Sequence, residues 1–146
     1  MEWRSALGAS AECNVMLDVL ESGFEPLSPR TATSTFDLVV EGLRIQIKRG
    51  DNTGTNLKAD IRRPSAKCRK YTAEEVDVFA VVDPISRRVA YVHRAELVHE
   101  RHLTLYLTRD HTRKGLPTSY KAQYFDDYIG FHRVLQVARN NTGRVA

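Results

Sequence analysis

Apolar residues recur at helical spacing near the start of the chain. Leu7, Ala11, Val15, Met16 and Val19 share one face and Gly23 supplies a stop, so the spacing predicts a helix over residues 3–21. Pro26 and Pro29 make the next segment a loop. Beyond it the period shortens to two. Residues 36–40 and 43–49 read as strands joined at Glu41-Gly42, where glycine suits the positive φ of a tight hairpin turn. Residues 50–70 are polar, carry Gly54 and Pro64, and read as a long loop, which in a small domain is usually functional or disordered. A short helix is expected to start at Thr72-Ala73-Glu74-Glu75, followed by a strand from Val76 to Val82 and a turn at Asp83-Pro84. Val89 to Val92 and Leu103 to Leu107 supply two further strands. Residues 109–123 are basic and loop-like, residues 124–138 have the spacing of a C-terminal helix, and the chain from Asn140 is expected to fray.

The second strand alternates cleanly. Leu43, Ile45 and Ile47 point one way, and Arg44, Gln46 and Lys48 the other. With a two-residue turn at Glu41-Gly42, Val40 faces Leu43, Val39 faces Arg44, Leu38 faces Ile45 and Asp37 faces Gln46. Directly opposed residues project to the same side with Cβ atoms about 5 Å apart, so Asp37, Gln46 and Lys48 form one cluster. Glu12 is the second anomaly. On a helical wheel it falls between Val15, Val19 and Met16, inside the apolar stripe. A carboxylate facing a core is costly unless it is paired or binds a metal.

These four residues are the parts of a phosphodiester-hydrolysing site. Asp37 would hold a hard cation, with the Gln46 side-chain carbonyl and the Ile47 backbone carbonyl as further ligands. Lys48 would orient or deprotonate the attacking water and neutralise the transition state, and Glu12 would reach the metal through water or position the nucleophile. The expected cation is Mg²⁺, with Mn²⁺ as a substitute.

Charge sharpens the picture. The 146 residues carry a net charge of +4, which favours a polyanionic partner. The cations cluster directly after the candidate site: Arg44, Lys48, Arg49, Lys58, Arg62, Arg63, Lys67, Arg69 and Lys70, against Asp51 and Asp60. Such a run suits phosphates, and phosphate contacts position a duplex rather than read its bases. Lys114, with Arg109, His111, Arg113 and Lys121, extends the surface. The histidines His93, His99, His102, His111 and His132 form no ligand pattern with Cys13 and Cys68, and read as surface or DNA-facing groups. Asp77 reads as a structural cap or loop anchor. A hydrophobic content of 42% fits one compact α+β domain. No apolar run approaches the roughly 20 residues of a membrane span, and the opening Met1-Glu2-Trp3-Arg4 lacks a signal-peptide pattern. A cytoplasmic or nucleoid-associated protein is expected.

Taken together, Asp37 nine residues before Gln46-Ile47-Lys48, with Glu12 on a preceding helix after Gly8, resembles the PD-(D/E)xK nuclease superfamily. The closer resemblance is to the group I intron-associated branch of homing endonucleases. That branch has an aspartate in a strand like Phe36-Asp37-Leu38-Val39-Val40, a Gln-x-Lys in a strand like Arg44-Ile45-Gln46-Ile47-Lys48, and segments like residues 71–81 and 88–92. The likeness spans roughly residues 7 to 128. Gln46 stands where most of the superfamily has an acid, and Phe36 where it has proline.

The resemblance implies a restriction-endonuclease-like α/β (α+β) fold, with a central mixed sheet of about five strands flanked by helices. A single domain over residues 1–146 is expected, its core at about 3–108 and a basic loop and C-terminal helix at 109–146. The implied activity is a metal-dependent, site-specific endonuclease acting on double-stranded DNA, with an intron-encoded, phage-encoded or free-standing gene left open. One site per chain implies a homodimer or homotetramer, for which the C-terminal helix is the first candidate interface. Two rivals remain: a structure-selective nuclease of the Holliday-junction-resolvase kind, and a catalytically silent DNA-binding module.

Overall fold

A computed structural model describes residues 3–29, 35–62, 75–109 and 121–142. The first helix, α1, runs Trp3–Glu21 as the spacing predicts. Its end is closed by backbone bonds from Gly23 N–H to the Leu20 carbonyl and from Phe24 N–H to the Val19 carbonyl, both 3.0 Å, the pair that satisfies orphan carbonyls at a helix C-terminus.

Strands β1 (Leu38–Val40) and β2 (Leu43–Arg49) form the expected hairpin. Glu41 and Gly42 have φ of 51° and 79°, so both central residues are left-handed, as the twist of a two-residue hairpin requires. The register is Leu38↔Ile45, Val39↔Arg44 and Val40↔Leu43, as the two-residue turn predicts. Strand β5 (Val78–Val82) lies parallel to β2, with β6 (Val89–His93) antiparallel beyond it. The resulting sheet has the order β1-β2-β5-β6. Every residue of β5 is buried, because both faces of this sheet are covered, which is why Val-Phe-Ala-Val-Val has no polar alternation.

One face carries the helices. Ile45, Ile47, Val78, Ala80 and Tyr91 pack against Ala11, Val15 and Val19 of α1 and against Phe131, Val134 and Leu135 of α2 (Phe131–Thr142). The other face, Phe79, Val81, Ala90 and Val92, packs against a second sheet through Leu57, Ala59, Leu103 and Leu105. That sheet has the order β3-β4-β7-β8, formed by Asp51–Asn52, Asn56–Asp60, His102–Tyr106 and Gln123–Tyr124.

The α+β class is as expected, but the central mixed sheet has four strands, and the strand near Leu103 belongs to the second sheet. The expected loop over 50–70 is also corrected. Residues 56–60 are a strand, because Leu57 and Ala59 are buried while Lys58 and Asp60 are exposed, a period-two pattern. Residues 63–70 and the expected helix start at 72–74 lie outside the described residues. The C-terminal helix begins at Phe131 rather than 124, since Phe125–Tyr128 form a 3₁₀ turn and Ile129 bridges Ala90. Its apolar face is buried in the core, so this face is not available as an interface between copies. Among the described residues, no helix is long and apolar enough to cross a membrane.

Gly50, where β2 turns into β3, is required by close approach. A Cβ there would stand 2.5 Å from Cγ and Cδ1 of Leu57, which is fully buried. Gly50→Ala is expected to cost about 1–3 kcal/mol, as overpacking does, seen as a lower urea midpoint at unchanged m-value. An unchanged midpoint would show that Leu57 yields without strain.

Candidate functional site

The hairpin builds most of the site. Asp37 N–H donates to the Ile45 carbonyl at 2.8 Å, extending the ladder one residue past β1 and setting Asp37 across from Gln46. Here β1 stops while β2 continues. Ile47 lies beyond the last strand pair, and its N–H donates to Oδ2 of Asp37 at 2.8 Å. Strand alternation sends the Ile47 carbonyl toward the same side as its N–H. Gln46 and Lys48, both half-buried, share the face turned away from α1.

Electrostatics ties the groups together. Burial raises the Asp37 carboxyl above its ordinary value, opposed by the Ile47 N–H and by the charge of Lys48. Burial lowers the Lys48 ammonium below its ordinary value, opposed by Asp60 and then Asp37. Glu12 is raised by burial and then by the like charge of Asp37. As a residue Glu12 is exposed, so it sits at the edge of the apolar stripe rather than inside it. Its carboxyl nevertheless shares a local field with Asp37, and the structure thus brings Glu12, Asp37 and Lys48 into one neighbourhood.

Pattern reading passed over Asp60 as one of two acids in a basic run. It ends β4 close enough to Lys48 to feel its charge, and the side chain of Arg62 beside it holds its carboxyl down to about 2. Treating residues 56–60 as a strand would have placed it.

The basic residues divide. Arg44, expected on the DNA surface, is instead bound by Asp77. Its Nε and Nη2 donate to the carboxylate at 3.0 Å each, and its backbone N–H adds a third bond at 2.9 Å. Asp77 is thus an anchor, as expected. Arg62 donates to Asp60 through Nη2 at 2.7 Å. Arg49 and Lys58 are exposed, on opposite sides of the molecule's two-sheet layer. Arg63, Lys67, Arg69, Lys70 and Lys114 lie outside the described residues. His93 is corrected from surface to buried. Its Nδ1 accepts from Ala95 N–H at 3.1 Å, capping the 3₁₀ turn Arg94–Glu96.

Among the described residues, no three His, Cys, Asp or Glu side chains gather as a metal cluster. The donors present are two carboxylates, an amide and a backbone carbonyl. This all-oxygen set fits a hard divalent cation that keeps several waters, and does not fit zinc, which favours sulfur and nitrogen. Both carboxyls are disfavoured in their charged form, a condition that a bound cation relieves.

Comparison with known proteins places the chain as a whole. No curated protein sequence matches the chain. A solved structure described as a bacterial homing endonuclease, I-Ssp6803I, superposes with a TM-score of 0.63 over 92% of this chain and 94% of that one. At 19% identity this likeness concerns the fold alone. A family model described as PD-(D/E)XK endonuclease matches residues 4–128, a stretch that holds Glu12, Asp37, Gln46 and Lys48 in order. The chain belongs to the PD-(D/E)XK endonuclease family.

Proposed function

We propose that this endonuclease hydrolyses phosphodiester bonds of double-stranded DNA at a specific sequence, in the manner of a homing enzyme, with Mg²⁺ as its cation and Mn²⁺ able to substitute. The observation that carries the reading is the end of the hairpin. There Asp37 is fixed by the Ile47 N–H in the same field as Glu12 and Lys48. The description of the structural neighbour as a homing endonuclease favours the sequence-specific form.

In this reading Asp37, Gln46 and the Ile47 carbonyl would hold the cation, and Glu12 would reach it through water. When bound, it supplies Lewis-acid stabilisation of charge on the phosphate and a more acidic water. Lys48 stands on the substrate side of β2. Its ammonium neutralises charge that develops on the phosphate, and its lowered pKa leaves more of it neutral, and so available to take a proton, than in a solvated lysine. Lys58 and Arg49 track phosphates on either side, and the cations of 63–70 and 114 are further candidates for phosphate contact. Cutting both strands requires two such sites, hence a homodimer or homotetramer.

Supercoiled plasmid carrying candidate target sites tests the reading. Nicking in Mg²⁺ or Mn²⁺, absent in EDTA, is the expected result. Glu12→Gln is expected to slow it about 10- to 100-fold at low Mg²⁺ and less at saturating Mg²⁺, as loss of an outer-shell partner does. Preference for a four-way junction over linear duplex would move the assignment to a structure-selective nuclease. Binding without cleavage in either metal would make the chain a silent DNA-binding module.

A further inference from the structure

A second polar recess lies on the opposite flank of α1 from Glu12. It encloses about 70 Å³, room for roughly two waters at about 30 Å³ each. A tetrahedral oxyanion fits such a recess. Ala11 and Val82 line it, with Ser10, Asn14, Arg49 and Arg87 as its polar groups.

Arg87 is set in place by its backbone. Its φ is 67°, a left-handed conformation that costs a non-glycine residue on the order of 1 kcal/mol. The turn that imposes it is tied by Asp83, whose backbone carbonyl accepts from Arg87 N–H at 2.8 Å. The Asp83 carboxylate also accepts from Asn52 Nδ2 at 3.0 Å and from Ser86 Oγ at 2.7 Å. Nη1 of Arg87 donates to Ser10 Oγ at 3.1 Å. Arg44, Arg62, Arg88, Arg109 and Arg133 each pair with a carboxylate. Neither Arg49 nor Arg87 does so among the described residues. Two guanidiniums with a hydroxyl and an amide, and no acid, make a site selective for an oxyanion.

We propose that this recess holds a nucleic-acid backbone phosphate flanking the one that is cleaved. The proposal rests on the nuclease reading above. Arg49 directly follows Lys48, so the two cations leave opposite faces of one strand end about 3.3 Å apart along the chain. A DNA strand crossing that end of the sheet meets Lys48 on one face and the recess on the other. Arg87, Ser10 and Asn14 thereby join the substrate-positioning surface, and they act on phosphate rather than on sequence.

The test is equilibrium binding to duplex without cleavage, in EDTA, across a range of NaCl concentrations. The proteins are wild type, Arg87→Asn, Arg49→Gln and the double variant. Asparagine tolerates the left-handed conformation, so the turn is kept, and thermal melting checks it. Each single change is expected to weaken binding about tenfold on any sequence and to lower the salt slope by about 1. The double variant should lose less than the product of the two, because both groups hold one phosphate. Unchanged affinity and slope in both single variants, with wild type still binding, would overturn the recess and leave the nuclease reading standing. Failure of wild type to bind any duplex would overturn that reading and this proposal with it. Inorganic phosphate that perturbs the Arg87 side-chain resonances while Arg87→Asn leaves the DNA slope unchanged would assign the recess to free phosphate and overturn a backbone contact.

Discussion

Asp37→Asn is expected to abolish cleavage and at the same time to raise the melting temperature of the metal-free protein. Asparagine keeps an oxygen for the Ile47 N–H, which now donates to Asp37 at 2.8 Å, so the hairpin end is preserved. What disappears is a charge that burial disfavours. With Asp37 as the proposed cation ligand, its loss should lower the rate by about 10³-fold or more, and Lys48→Ala should do the same by removing the proposed counter-charge to the transition state. The stability gain follows from linkage. A carboxyl whose folded pKa lies above its unfolded value favours folding fully below the unfolded value, and the advantage is lost as pH rises through the folded pKa. Wild type and Asp37→Asn should therefore melt alike well below the ordinary aspartate value of 3.8. They should separate by a few degrees, asparagine higher, toward neutral pH. Divalent cation should then raise the wild-type melting temperature and leave Asp37→Asn unmoved. Scanning calorimetry at two pH values, with and without Mg²⁺, reads both effects. An Asp37→Asn protein that melts lower than wild type at neutral pH, or that still cleaves, would remove Asp37 from the role given to it.

Glu96→Ala should produce the largest loss of stability away from the site. The Glu96 carboxylate accepts from Arg133 at 2.8 and 3.0 Å and from the His93 backbone N–H at 3.1 Å. Arg133 also donates to the Tyr91 carbonyl at 2.7 Å, and the Tyr128 ring centroid lies 4.7 Å from its guanidinium carbon. The two side chains are only 29% and 19% exposed. Removing the acid therefore leaves Arg133 charged and poorly solvated, with Nε already buried and unbonded among the described residues. Breaking such a pair from one side costs on the order of 3 kcal/mol, whereas Glu96→Gln, which keeps one of the two acceptor oxygens, should cost less than that. Urea denaturation of the two variants checks the ordering. Equal losses would show that the charge, not the hydrogen bonds, matters here.

The parts legible in the sequence are those governed by short-range periodicity. Residues 36–49 alternate, and a two-residue turn leaves one register, so the relation of Asp37 to Gln46 and Lys48 is written in the sequence itself. The first helix was equally plain, but the place of Glu12 was not, because the exposed edge of an apolar stripe is decided by how the helix docks on the sheet. Residues 56–60 alternate as clearly as β2, yet lysine and aspartate at the outward positions disguised a strand as a charged loop. The ion pair of Arg44 with Asp77 depends on the parallel pairing of β2 with β5, which no local pattern specifies. His93 looked like a surface group because one histidine at the end of an apolar strand carries no sign of the 3₁₀ turn it caps. Arg87 offered no signal at all, since a left-handed arginine is visible only in the backbone.

The two-residue turn also bears on how the site is assembled in time. Pairing across Glu41-Gly42 closes almost no chain, whereas setting Ile45 beside Val78 requires closing a segment of more than thirty residues, and loop-closure entropy grows with that length. Hairpins form within roughly 1–10 μs, while contacts of large sequence separation come later. The relative placement of Asp37, Gln46 and Lys48 is therefore a local property, available before the sheet is complete. Glu12 is then expected to join them only when α1 has a finished face to dock against, so the last acidic group of the site should arrive late in folding.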